Sequence, residues 1–232
     1  MRARELGADG VELDVARCRS GEVIVFHDDD LTRLAGRPER VREQPLGALR
    51  EVELAGGEQI PLLEEVIETV GTRMLINIEL KSPVRRGLGH LGALCDDGLP
   101  EAVAALVTRH GLRQRALISS FDPTLLWRFR RTLSEVPMAL LFQADSARPL
   151  SRAWAAPLLR PLALHPEALL VDALTLGQWR KRGYAINVWT VDDAHEIAYL
   201  AALGVDGLIT NRPAEARHIV DGPVVSFPHG EV

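Results

Sequence analysis

Cysteine is nearly absent. The chain of 232 residues has two, Cys18 and Cys95, too few for a disulfide framework or a metal knuckle and no guide to compartment beyond a slight preference for reduced cytoplasm. A surplus of basic charge is also missing. The formal net charge is -5 and the arginines are scattered among acids, so nothing offers a stripe for nucleic acid. No apolar run approaches the length of a membrane span, and Met1 is followed by Arg-Ala-Arg-Glu-Leu, which is not a signal peptide. A strand-to-helix phosphate turn of the dinucleotide-binding kind is not read either: the G-x-G-x-x-G spacing at 87–92, GLGHLG, falls inside a Gly- and Arg-rich loop and does not join a strand directly to a helix. These gaps exclude disulfide scaffolds, polyanion binders and stable membrane insertion. They leave a globular domain, for which 47% hydrophobic and 25% charged residues are ordinary. The length fits one α/β domain with a sizeable core, so residues 1–232 are read as a single domain.

The most informative stretch is GADGVELDVARCRSGEVIVFHD, Gly7 to Asp28. Val11, Leu13 and Val15 alternate with Glu12 and Asp14, so a strand here puts both carboxylates on one face. The next apolar run, Val23 to Phe26, starts too soon for a parallel crossover and is expected to return antiparallel. The turn falls near Arg19, Ser20 and Gly21. That hairpin brings His27 opposite the two acids. Singly, each of these residues has an ordinary surface reading. Together, on a strand with buried-looking flanks, two carboxylates and an imidazole call for a cation or a cationic partner.

Along the rest of the chain, Arg2 to Leu6 read as a helix tail stopped by Gly7, and residues 28–57 as charged loop with at most a short helix near Leu46 to Leu49. A helix follows over Leu63, Val66, Ile67 and Val70. Met74 to Leu80 is a buried strand that alternates Asn77, Glu79 and Lys81 on one face, adding a third acid. Beyond a loop at 82–99, strands are expected at 116–119, 138–142, 168–171, 185–191 and 207–210. Helices lie between them, near 100–110, 123–132, 151–159, 176–182, 193–203 and from Pro213. Asp122 caps and Pro123 opens the second of these. Strict alternation predicts a parallel α/β fold. Seven strands can be parallel, one short of an eight-stranded (β/α) barrel.

The segments GADGVELDV (7–15), GEVIVFHDDDLTR (21–33), IPLLEEV (60–66), INIELK (76–81), ISSFDP (118–123), INVWTVDD (186–193) and GVDGLITNRP (204–213) together resemble the glycerophosphodiester phosphodiesterase family. The resemblance implies a TIM-type (β/α)8 barrel and a hydrolase that splits a small phosphodiester into glycerol 3-phosphate and an alcohol. It implies that Glu12, Asp14 and Glu79 bind a divalent cation, magnesium or calcium, that His27 is one of two catalytic histidines, and that Lys81 contacts phosphate. Trp189 would wall the glycerol or the leaving group. A cyclic phosphate intermediate, formed by attack of a substrate hydroxyl, is implied as well. The family pattern also has a preceding strand ending in His-Arg-Gly and a Pro-Glu-Asn-Thr turn, which the 232 residues do not contain. The first strand, the second histidine, an arginine and a glutamate are therefore expected upstream, and the form starting at Met1 is expected to lack activity. Two alternatives share these residues: a member that only binds metal and phosphodiester, and a barrel phospholipase acting on lysophospholipid or sphingolipid headgroups.

Overall fold

The computed structural model describes residues 2–54, 56–71, 73–82, 97–145 and 153–222. By contacts the chain divides into two compact units, Val11–Met138 and Met1–Gly10 with Ala139–Val232. The expected loop at 82–99 lies mostly outside the described residues, as do Cys95 and the first residues of the 151–159 helix.

In the Val11–Met138 unit, β1 (Gly10–Arg17) turns back into β2 (Val23–Val25). The two pair antiparallel with Val15 opposite Val25. Gly21, at φ +106°, supplies the left-handed residue the turn needs. The strand order is β2-β1-β3-β4, with β3 at Leu75–Leu80 and β4 at Ala116–Ser120. β3 and β4 run parallel, Glu79 opposite Ser119. On β3, Ile76, Ile78 and Leu80 are buried on one face, leaving Asn77, Glu79 and Lys81 to the other, as period two requires.

The stretch expected to be loop is more structured than its charge suggests. It folds as α2 (Thr32–Ala35), a 3₁₀ turn at Val41–Glu43 and α3 (Leu46–Arg50), with the short α1 at Arg2–Glu5 preceding the first strand. Leu31, Val41, Leu49, Val52 and Ile60 pack with Ala16, Cys18, Ile24 and Phe26 of the hairpin into one core cluster. Helix α4 (Leu63–Val70), α5 (Leu99–Arg109) and α6 (Pro123–Thr132) complete the unit. Asp122 caps α6 by accepting from Thr124 N, as its place before Pro123 predicts.

In the other unit the strand order is β5-β6-β7-β8, from Met138–Phe142, Ala163–Pro166, Ala185–Val188 and Gly207–Leu208. Each successive pair is parallel. Helices α7 (Ala156–Leu159), α8 (Ala173–Lys181), α9 (Ala194–Leu203) and α10 (Pro213–Asp221) alternate with them. The strand expected at 168–171 is displaced. The pairing segment is Ala163–Pro166, and Ala168–Leu170 instead closes a 3₁₀ turn through Leu170 N to Glu167 O and Val171 N to Ala168 O, both 3.0 Å. Among the described residues, seven strands follow the (β/α) order and β2 is the hairpin arm.

Candidate metal and phosphodiester site

Two strands that are neighbours in the sheet build the site. Glu12 and Asp14 project from β1, Glu79 from β3 and Lys81 from just beyond it, and Lys81 N donates to Val15 O at 3.1 Å across the pair. One carboxylate oxygen from each of Glu12, Asp14 and Glu79 lies within 4.8 Å of the others. The Lys81 ammonium stands between two of them, 3.1 Å from Asp14 Oδ1 and 3.2 Å from Glu79 Oε1. The four residues singled out from alternation are thus brought to one place.

The electrostatics are those of too much negative charge in too little water. Burial pushes the Glu12 carboxyl up to about 8, and repulsion by Asp14 and Glu79 adds to it against the opposing pull of Lys81. Glu79 is likewise raised, by burial first and by Asp14, with Lys81 and His27 working against both. For Lys81, burial alone would depress the ammonium, but the two carboxylates outweigh it and hold its pKa above the ordinary lysine value.

Glu12 Oε1 is buried with no hydrogen-bond partner, an expensive arrangement unless something charged completes it. Asn77, on the same face, and Ser119, opposite Glu79, also have buried polar atoms without a partner. An all-oxygen donor set with one ammonium against three carboxylates fits a hard divalent cation.

His27 follows the hairpin pairing, in which Phe26 N donates to Asp14 O at 2.9 Å. Its imidazole is exposed, and Nδ1 lies 2.6 Å from Asp28 Oδ1. Asp28 in turn accepts two bonds from Arg33, at 2.7 Å from Nε and 3.1 Å from Nη2. Burial alone would raise the Asp28 carboxyl, but Arg33 and His27 hold it below the ordinary aspartate value. Sequence reasoning missed this chain of Arg33, Asp28 and His27. The only signal for it was an aspartate directly after the histidine.

Trp189 belongs to the other unit. It follows β7, and its half-buried indole donates through Nε1 to His165 O at 2.7 Å. His165 is itself buried, with Nε2 2.9 Å from Asn187 Nδ2 and Nδ1 without a partner. Burial pushes its pKa down to about 3. Neither His165 nor Asn187 stood out in the sequence, because a lone polar residue on a short apolar strand carries no periodic mark.

A parallel α/β chain with a carboxylate cluster and a lysine on neighbouring strands is a barrel-class protein with a site suited to a metal ion. A family model for the glycerophosphoryl diester phosphodiesterase family matches residues 1–215, and the chain belongs to that family. A glycerophosphodiester phosphodiesterase from Caldanaerobacter subterraneus is 29% identical over 227 residues, spanning 94% of this chain and 88% of that protein. The crystal structure of glycerophosphodiester phosphodiesterase from Thermotoga maritima is 30% identical, with TM-score 0.69 and coverage of 92% and 86%. A phosphodiesterase from Oleispira antarctica, solved in complex with the product sn-glycerol-3-phosphate, has the same fold at TM-score 0.77 and 24% identity, covering 94% and 87%. The fold is the (β/α)-barrel type of these structures. Among the described residues, no helix is long and apolar enough to cross a membrane.

Proposed function

We propose that the chain hydrolyses glycerophosphodiesters to glycerol 3-phosphate and an alcohol, with Glu12, Asp14 and Glu79 holding magnesium or calcium. The observation that carries this reading is the three-carboxylate cluster within 4.8 Å beside Lys81. When bound, the cation offsets phosphate charge and lowers the pKa of the attacking hydroxyl. Lys81, paired to two of the acids, would offer its ammonium to a phosphate oxygen. His27 moves the proton through Nε2, since Nδ1 is engaged by Asp28. Trp189 packs the glycerol or the departing alcohol in this reading, its indole held by the bond from Nε1 to His165 O.

The test is calorimetric titration of magnesium and calcium into the parent protein and into E12A, D14A and E79A, alongside release of glycerol 3-phosphate from glycerophosphocholine with and without chelator. Each substitution should weaken cation binding by at least about 10-fold, by comparison with the 10–100-fold cost of altering outer-shell partners. The fold should survive, because removing one acid relieves like-charge repulsion. Unchanged affinity in all three variants overturns the assignment.

A further inference from the structure

We propose that Arg42 is a positioning residue for Lys81, acting through the main-chain carbonyl at the end of β3. Arg42 lies in the 3₁₀ turn at Val41–Glu43, and its side chain is only 19% exposed. One arm of the guanidinium, Nη2, donates to Lys81 O at 2.8 Å. The other, Nη1, donates to Asp97 Oδ2.

Asp97 is anchored in its turn. Its Oδ1 accepts from Leu99 N at 3.1 Å, at the start of α5, and its main-chain oxygen accepts from Arg17 Nη1 at 2.5 Å. Arg17 is fixed to the hairpin turn by Nε donating to Gly21 O at 2.7 Å. The guanidinium therefore ties the end of β3 to the hairpin and to the first turn of a helix.

The consequence falls on Lys81. Its N–H is held by Val15 O at 3.1 Å and its C=O by Arg42, so the peptide groups on both sides of its Cα are fixed. A lysine has a flexible four-carbon stem and a point charge with no directional fork. Fixing the root of that stem narrows where the ammonium can stand, and it stands between Asp14 Oδ1 and Glu79 Oε1. A planar fork presents two donors in fixed directions to the carboxylate and the carbonyl, whereas a lysine in that place would offer a rotating point charge with less directional hold. A buried guanidinium is also a poor choice if the purpose were stability alone, since apolar replacements of buried ion pairs are often as stable or more so.

The inference rests on the proposed role of Lys81, and a double-mutant cycle separates the two. Arg42→Gln, Lys81→Met and the double variant are compared with the parent in kcat/KM on glycerophosphocholine and in calcium affinity by calorimetry, with circular dichroism confirming the fold. Arg42→Gln should lower kcat/KM by roughly 10–100-fold, the scale of a small misplacement of a working group. In the Lys81→Met background the same change should cost less than about threefold, since coupled residues are non-additive. Calcium affinity gives the same comparison without turnover: a shift of about threefold or more with Lys81 present, and none without it. Equal effects in both backgrounds, or no effect in the parent, overturn the proposal. If Lys81→Met alone changes neither readout, the role of Lys81 fails and this inference with it. If turnover is absent but the calcium cycle is non-additive, positioning stands and the activity reading is what fails. Should Arg42→Gln not fold, Asp97→Asn carries the cycle, because it removes the charge that anchors the guanidinium and keeps the side-chain shape.

Discussion

Asp28 gives His27 a fixed face. Its carboxylate takes Nδ1 at 2.6 Å and is itself held by the Arg33 fork, so the opposite nitrogen is the one free for proton work. In a form that also carries the His-Arg-Gly strand, His27→Ala should therefore cost roughly 10²–10⁴-fold in turnover, the usual worth of a general acid or base, while calcium affinity by titration stays at the parent value. Asp28→Asn should cost less, about 10–100-fold, comparable with other outer partners that orient a histidine. Loss of calcium binding in His27→Ala would place the imidazole in the coordination shell instead. The acids of the site were legible because β-strand alternation is a rule about sequence. The support of His27 was not, because side-chain bonds over one and five residues leave no periodic trace.

At the level of elements, the segment from Asp28 to Gly57 shows where pattern reading fails. Leu31, Val41, Leu49 and Val52 are each almost fully buried, but α2 contains none of them and the 3₁₀ turn and α3 one each, so no helical or strand period develops. Their burial is dictated by the hairpin they cover. Leu49→Ala should accordingly destabilise the protein by about 2–5 kcal/mol, as for other buried leucines, measured as a shift in urea unfolding. A cost under about 1 kcal/mol would mean the cluster is dispensable. The displaced β6 has a related cause: Ala-Leu-Leu-Val at 168–171 has the stronger strand composition, yet Leu169 is 79% exposed. Pairing went to Ala163–Pro166, where His165 and Pro166 obscure the pattern.

For the molecule as a whole, the alternation of strand and helix was readable because every step of it is local, and the (β/α) order followed from counting. What no local pattern reveals is how a buried neutral histidine ties stability to pH. His165 is pushed down to about 3 by burial, whereas an unfolded histidine titrates near 6.5. Below pH 6.5 the unfolded chain takes up a proton that the folded chain refuses until about pH 3, so the contribution is complete above 6.5 and falls as the solution is acidified through that window. Urea midpoints of the parent should decline from pH 7 to pH 4 more steeply than those of His165→Gln. Parallel curves would show that His165 does not couple folding to protons.

Arg217 in α10 donates from Nε to Gly7 O at 3.1 Å and also bonds the carboxylate of Asp9. Residues 1–10 belong with 139–232 in one compact unit, while 11–138 form the other from continuous chain. During synthesis Gly7 and Asp9 leave the ribosome some two hundred residues before Arg217. The continuous unit can gather its contacts as it emerges, but the opening segment has to wait, unpaired, for α10. Completion of the discontinuous unit is thus timed by α10, which is made long after the segment it holds.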